Sequence, residues 1–271
     1  MQNIRLTIQY DGTRYLGWQR PAKDGFEKTV SYRLHSVLRK MTGEDITLHV
    51  GAKTEPGVHA LSQTVSFQTA STFRPDQFLT GLNKYLPQDI SVLDAAPAPE
   101  RFRADLNAIS RTYEYRVSTA PVYDLFTAPY TAHLPFSLDR NAMQEAAVLL
   151  IGKHDFLNFS GVRPKKKEKN SGSRQTEKEI FHIHFSEETA LPSLPIPDGN
   201  RSTDAQGRLF TITLTADDFL FRMPSLIVGT LLETGTGRRT PGSLLYLLEG
   251  REKAASLCAP EGLLLKSVNY N

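Results

Sequence analysis

The first hundred residues alternate between strand-like and helix-like patterns of apolar side chains. Apolar residues occupy every second position in Ile4 to Tyr10 and again on both sides of residues 51–60, as in half-buried strands. Thr29 is a typical helix N-cap, and the apolar positions after it follow the 3.6-residue helical period as far as Gly43. With a second helix and a strand from Ile90 to Leu93, the predicted order is β-α-β-β-α-β, the ferredoxin-like arrangement.

A proline-containing stretch follows this last strand. Ala95 to Glu100 contains Pro97 and Pro99, and proline has no backbone N–H to donate to a neighbouring strand. We therefore predict a connection here rather than part of an element.

The second half repeats this order of elements with a different sequence. It contains predicted strands around Tyr113 to Val117 and near residues 183 and 212, a helix capped by Asp139, another from Met223 to Gly235, and a last strand from Leu263 to Tyr270. The predicted fold class is α+β, with two ferredoxin-like (RRM-like) halves built on antiparallel sheets. The predicted domains are residues 1–105 and 106–271.

Composition narrows the functional class only slightly. The 271 residues are 39% hydrophobic and 23% charged, as in ordinary soluble domains, and no apolar run is long enough to span a membrane. A single cysteine and the absence of an apolar signal segment fit the cytoplasm. The net charge of +3 permits a nucleic-acid partner without requiring one.

Residues 51–60 are the first candidate for chemistry. Glu55 stands in a Pro-Gly turn between two predicted strands, with Lys53 two residues before it and His59 four residues after it. A carboxylate on a loop held by two strands is often functional, although a surface turn of this composition is the commoner case.

A basic segment, residues 161–178, is the second candidate. It contains seven basic and two acidic residues, among them the run Lys165, Lys166 and Lys167. One interpretation is a solvated loop, and the other is contact with phosphate groups.

Two pairs of side chains on predicted strands leave their roles open. Tyr113 and Tyr115 share one strand face, where core packing is the default and stacking on an RNA base is the alternative. His182 and His184 could bind a metal, but the polar face of a strand explains them better because no third ligand is spaced nearby.

Several motifs, spread in order over nearly the whole chain, resemble those of the TruA family of tRNA pseudouridine synthases. They are Tyr10 to Arg20, Leu82-Asn83, Leu86 to Ile90, Gly152 to Phe156, Ile227 to Gly229, and Gly262 to Leu265 with Val268 and Tyr270. The resemblance implies the pseudouridine synthase fold, with its two halves forming a central cleft.

The resemblance also implies a reaction and its partners. Family members are homodimers that bind tRNA and isomerise uridines in the anticodon stem-loop, without cofactor or metal. The target base is flipped out, its glycosidic bond is cut, and the base is rejoined through carbon. An essential aspartate is expected at position 55, a base-stacking tyrosine at Tyr113, and an arginine on the late helix.

The chain departs from the family pattern at four charged positions. The aspartate position is Glu55, the arginine two residues before it is Lys53, the helix arginine is Ser225, and another family arginine is Asp105. A carboxylate displaced by one methylene, or by about one ångström, can lose roughly a hundredfold in rate.

Cations in and near these motifs are the candidates for contact with RNA. Glu55, Lys53 and Tyr113 form the predicted catalytic set, and the predicted substrate-binding residues are Arg14, Arg20, His59, Arg103, Arg111, Lys165, Lys166, Lys167 and Arg222.

Three hypotheses follow, from three functional classes. The first is a protein of this fold that binds tRNA or another structured RNA and has lost most or all isomerase activity. The second is an active synthase with Glu55 as its carboxylate. The third is a regulatory or assembly protein that binds no RNA.

Overall fold

The structure is a computed structural model that describes residues 1–19, 24–161, 176–190 and 207–271. The chain forms two compact units. One comprises Met1–Arg111 together with Leu264–Asn271, and the other comprises Thr112–Leu263. The final strand thus belongs to the first unit, and the domain boundary at residue 105 stays a prediction.

The first unit has the predicted ferredoxin-like order. Its elements are β1 (Gln2–Tyr10), α1 (Val30–Thr42), β2 (His49–Val50), β3 (His59–Thr69), α2 (Pro75–Tyr85), β4 (Ile90–Ala98) and β10 (Leu263–Tyr270). The sheet runs β4-β1-β3-β10, and the short β2 also pairs with β3. β1 lies antiparallel to both β3 and β4, as predicted, whereas β10 pairs with β3 in parallel, so the sheet is mainly antiparallel.

The prediction of a connection at Ala95 to Glu100 was wrong over most of that stretch. β4 continues to Ala98, and Pro97 lies opposite Ile4 of β1. β4 is at the edge of the sheet, where a residue without an N–H can be accommodated if that group would face outward. The sequence pattern does not show which strand lies at an edge.

The core of the first unit follows the alternation seen in the sequence. Ile4, Leu6 and Ile8 are completely buried on one face of β1. The buried side chains of α1 include Leu34 and Leu38, one helical turn apart. Burial of this face is the main driving force for folding of the unit.

Both predicted ends of α1 are confirmed. The Thr29 side chain accepts a hydrogen bond from the Tyr32 N–H, and Gly43 ends the helix with a left-handed backbone at φ 76°. A residue with a Cβ would be strained at that angle, so the helix stops where glycine occurs.

The second unit contains both strands and helices. Its elements are most of β5 (Ala108–Ser118), whose first residues belong to the first unit, and β6 (Ala132–His133), α3 (Arg140–Val148), β7 (Gly152–Asp155), β8 (Glu177–Thr189), β9 (Arg208–Ala216), α4 (Met223–Gly235) and α5 (Leu244–Leu248). The strand order is β5-β9-β8-β7, with β6 beside β5. The predicted Asp139 cap is confirmed, since its carboxylate accepts from the Ala142 N–H at 3.0 Å.

The helix α4 is buried on nearly every side. Twelve of its residues are buried, and only Glu233 in the helix is not. A helix that is apolar all round belongs in a core, which explains why its sequence contains almost no charge. Among the described residues, no helix is long and apolar enough to cross a membrane.

Candidate functional site

The candidate catalytic loop comprises residues 51–58, between β2 and β3 of the first unit. Its base is fixed by two reciprocal hydrogen bonds between the side-chain amide of Gln63 and the backbone of Ala52, at 3.1 and 2.6 Å. The Gly51 N–H donates to the Thr64 carbonyl, and Arg111 donates through Nε to the Gly51 carbonyl at 2.9 Å. The loop therefore begins from a rigid base.

A segment near the amino terminus, Gly12 to Trp18, holds the other side of this loop by backbone hydrogen bonds. Trp18 donates its backbone N–H to the Thr54 carbonyl at 3.1 Å, and Gly57 donates to the Tyr15 carbonyl at 3.1 Å. Trp18 and Tyr15 are themselves buried, so these contacts are anchored in the core. We call Gly12 to Trp18 the cradle segment.

Two glycines allow the cradle segment to approach the loop. A Cβ at Gly12 would lie 2.1 Å from the Val58 carbonyl oxygen, and one at Gly17 would lie 2.5 Å from the Thr54 oxygen. Gly17 also has φ +87°, a backbone conformation that favours glycine. Glycine is required at both positions because backbone meets backbone there.

Thr54 of the candidate catalytic loop is buried, and its hydroxyl lies 2.8 Å from the Tyr10 hydroxyl. Burial raises the pKa of Tyr10 to about 12. The phenol thus remains protonated at neutral pH, and the pair joins the loop to the end of β1.

Glu55 and Lys53 lie on the exposed side of the loop. Lys53 is exposed and Glu55 is partly exposed, whereas the residue between them faces the core. The Val58 N–H donates to the Glu55 carbonyl at 3.2 Å, and Gly57 has φ 78°, so a tight turn follows the carboxylate. The loop presents an acid and a cation on a fixed backbone.

His59, a predicted substrate-binding residue, is only 3% exposed. Its Nδ1 accepts the Gly12 N–H at 3.0 Å and lies 3.2 Å from a carboxylate oxygen of Asp11. In this structure His59 ties the end of the loop to the cradle segment.

Arg14 and Arg111, two further predicted substrate-binding residues, differ in exposure. Arg14 is 74% exposed, and its guanidinium binds the carboxylate of Asp89, which also accepts from the Tyr15 hydroxyl at 2.7 Å. Arg111 is buried against Gly51, as described above. Arg14 thus presents a cation to solvent, whereas Arg111 holds the loop.

Asp105 and Arg103 form a pair. Arg103 binds the Asp105 carboxylate through two nitrogens, at 3.1 and 2.7 Å, and His49 Nδ1 lies 3.8 Å from the same carboxylate. Partial burial acts to raise the pKa of Asp105, but the Arg103 hydrogen bonds and charge outweigh it and leave that pKa lowered. The carboxylate that replaces a family cation is therefore locally neutralised.

The second unit contains the other predicted site residues. Tyr113 is 5% exposed and packs edge to face on Phe219, with ring centroids 5.2 Å apart. Arg222 is exposed at the start of α4, with its guanidinium over the Phe221 ring and a left-handed backbone at φ 65°. Ser225 is buried in the first turns of α4.

Four predicted residues lie outside the described part of the chain. They are Arg20 and the run Lys165, Lys166 and Lys167.

Sequence reasoning missed the residues that hold the loop. The pattern marks Asp11-Gly12 only as a turn, and it gives Gly17 and Trp18 no role beyond a motif. The reciprocal bonds of Gln63 to Ala52 have no signature in the hydrophobic pattern, since the two residues are 11 positions apart. The available signal in the sequence was Gly12 in the predicted Asp11-Gly12 turn, since glycine can mark a close approach of two backbone segments.

Comparison with known proteins agrees with this architecture. A family profile described as tRNA pseudouridine synthase matches residues 6–106 and 146–271. "tRNA pseudouridine synthase A 2" of Clostridium tetani is 33% identical over 272 residues, covering 100% of this chain and 99% of that protein. The "tRNA pseudouridine synthase A" proteins of Caldicellulosiruptor bescii and Caldicellulosiruptor saccharolyticus are 33% and 34% identical, with both chains fully covered.

The solved structures are more distant. An archaeal box H/ACA sRNP Nop10-Cbf5 complex matches with a TM-score of 0.34 and 9% identity, over 84% of this chain and 43% of that one. The profile and the full-length relatives are sufficient: the chain belongs to the TruA family of tRNA pseudouridine synthases.

Proposed function

We propose that this protein binds tRNA, or another structured RNA, and that its isomerase activity is strongly reduced or lost. The observation that carries this proposal is the rigid loop beneath Glu55. Its backbone is hydrogen-bonded to Trp18 on one side of the carboxylate and to Tyr15 on the other. Because these hydrogen bonds hold the backbone, we expect the extra methylene of glutamate to displace the carboxylate from the position that an aspartate at residue 55 would give it.

The charges that the resemblance places beside the carboxylate support the same conclusion. Lys53 supplies a point charge where the resemblance implies a guanidinium, and an ammonium cannot bind a carboxylate in the bidentate way that arginine does. Ser225 is buried in α4 and is uncharged, where the resemblance implies a second arginine. A reaction that depends on electrostatic positioning therefore loses one cation, at Ser225, and one bidentate donor, at Lys53.

The proposal that the protein binds RNA rests on its family membership and on its exposed cations. Arg14, Lys53 and Arg222 all have exposed side chains. Such cations bind phosphates by displacing counterions, which makes affinity fall with salt. The anticodon stem-loop of tRNA is the substrate that the resemblance implies.

A second candidate is an active synthase with Glu55 as catalytic carboxylate, Lys53 as its cation and Tyr113 as the base-stacking residue. The observation in its favour is the ion pair of Asp105 with Arg103. Because the Asp105 charge is balanced, it adds little repulsion toward phosphate or toward Glu55. This removes one of the four objections raised by the sequence.

We also propose that the protein is a homodimer. The segment 122–136 of the second unit exposes large apolar side chains, each with more than half of its surface accessible: Val122, Leu125, Phe126 and Phe136. Exposed apolar side chains so close together in the sequence are typical of an interaction surface. Light scattering is expected to give twice the 30.3 kDa chain mass, and Leu125→Asp with Phe126→Asp is expected to yield a monomer. A wild-type monomer would reject the dimer.

The test of function is tritium release from unmodified tRNA that carries uracil labelled at carbon five. Rejoining the base through carbon expels that hydrogen, so release measures isomerisation directly. Wild-type protein is expected to release little or no tritium while binding the same tRNA with an affinity that falls steeply with salt. Glu55→Gln is expected to bind as the wild type does.

The alternatives give different results. Rapid release that Glu55→Gln abolishes would establish the second candidate. Absence of salt-dependent tRNA binding would reject both and favour a protein that acts without RNA.

A further inference from the structure

A groove on the first unit lies outside the candidate catalytic loop. It has a volume of about 860 Å³, and its lining comprises several residues of α1 together with Phe26, Ile46 and Leu48. The buried Trp18 contributes to its lining. Among the described residues, none of those to which we assigned catalysis or substrate binding lines it. We call it the α1 groove.

One end of the α1 groove is aromatic. Phe26 is 45% exposed and Tyr32 is partly exposed, and their rings meet edge to face with centroids 5.2 Å apart. An aromatic pair of this kind has ring surface that the protein itself does not cover. Exposed aromatic rings are the groups on which unpaired nucleobases stack, with little dependence on base identity.

The other end is cationic. Arg39 and Lys40 are exposed in the last turn of α1, seven and eight residues after Tyr32, so that the aromatic and cationic positions lie about 12 Å apart along the helix. No ion pair joins either cation to a carboxylate in the described part of the chain. Cations at a helix carboxyl end also favour the helix dipole, but that role does not explain the neighbouring exposed rings.

Carboxylates are nearly absent from the α1 groove. No acidic residue is among those that line it in the described part of the chain. Asp45 does not line the groove, but its carboxylate binds His35, a lining residue, at 2.9 Å and is 85% exposed. An anionic ligand therefore meets two cations and one acid that already has a partner.

The α1 groove and the catalytic loop share an anchor. Trp18, which lines the groove, donates its N–H to the Thr54 carbonyl, and its own carbonyl accepts from the Ser31 N–H of α1 at 2.9 Å. A strand bound in the groove would contact the element that holds the loop from the other side.

We propose that the α1 groove binds a single-stranded stretch of the RNA substrate, with a base against Phe26 and Tyr32 and phosphates beside Arg39 and Lys40. This rests on the proposed RNA-binding function and adds a second contact region to it. Exposed aromatic rings at one end and cations without an ion pair at the other end suit a nucleic-acid strand better than an acidic peptide, which would not use the rings.

The experiment measures binding of fluorescently labelled unmodified tRNA, and of labelled oligouridylate, to the full-length protein as a function of salt. The variant Arg39→Gln with Lys40→Gln is expected to weaken both affinities at low salt and to reduce the salt slope by about one to two. Tyr32→Leu is expected to weaken oligouridylate binding about fivefold or more at any salt concentration.

Arg33→Gln is the matched control, because Arg33 is an exposed arginine of the same helix and does not line the groove. It removes a positive charge from α1 and is expected to leave the oligouridylate affinity nearly unchanged. Melting temperatures of all variants check that the fold is retained. Crosslinking of oligo-4-thiouridine to a peptide containing Tyr32 gives a readout that does not depend on any variant.

Different results would reject the groove as an RNA site and the proposed RNA-binding function. If wild-type protein binds tRNA but the double variant at Arg39 and Lys40 behaves as Arg33→Gln does, and no crosslink forms on α1, the groove is not an RNA site and the proposed function stands. If wild-type protein binds neither RNA, the proposed function and this inference fall together.

Discussion

Replacing Lys53 with arginine and Glu55 with aspartate in one variant is expected to raise the rate of pseudouridine formation about a hundredfold. The loop backbone is held by Tyr15 and Trp18, so the shorter side chain returns the carboxylate to the family position without moving the loop. A correction of about one ångström in the position of a reacting group is worth roughly this factor. Arginine at position 53 also restores a planar, bidentate donor.

The measurement is tritium release from tRNA labelled at carbon five, compared with wild type under single-turnover conditions. Lys53→Arg with Glu55→Gln is the control, because it carries the same cation and lacks the carboxylate. It is expected to show no release above background. If Lys53→Arg with Glu55→Asp is as slow as wild type, the missing cation at Ser225 is the dominant defect rather than the carboxylate.

Gly12→Ala is expected to destabilise the first unit by about 2–3 kcal/mol, the cost typical of overpacking. The new methyl group would lie 2.1 Å from the Val58 carbonyl oxygen and 2.5 Å from its carbon, so backbone must move. The Gly12 N–H also donates to His59, and displacement of this segment would break that hydrogen bond. Neither neighbour is the flexible end of a side chain, which leaves little scope for relaxation.

Urea denaturation gives this change in the free energy of unfolding. Gly242→Ala is the matched control, since a Cβ there meets nothing within 4 Å, and it is expected to be neutral. A Gly12→Ala protein with an unchanged unfolding midpoint would mean that the cradle segment tolerates separation from the loop. In that case the proposal that the loop carrying Glu55 is rigid would be wrong as well.

The sequence alone determined most of the local structure. Alternation and helical periodicity located β1, α1 and α4, because the side chains that must be buried recur with the period of the element that buries them. Thr29, Gly43 and Asp139 marked helix ends through local hydrogen bonding or backbone geometry. These signals span a few residues and need no knowledge of the rest of the fold.

The candidate site could be predicted only in part from the sequence. Motif resemblance located Glu55 and Lys53, and the structure presents both on the exposed side of the loop. The resemblance did not indicate that Arg111 and His59, assigned to RNA contact, are buried supports of that loop. Burial depends on which surfaces the fold brings together, and a charged residue in a motif looks the same in either role.

Tertiary structure decided the contacts between distant segments. The approach of Gly12 to Val58 and the bond of Arg111 to Gly51 join residues 46 and 60 positions apart, and strand pairing and register bring them together. The pairing of Asp105 with Arg103 joins near neighbours, but it depends on side-chain orientation in a turn. The sequence therefore specified the elements and the chemical groups, whereas long-range packing decided which groups hold the loop and which face solvent.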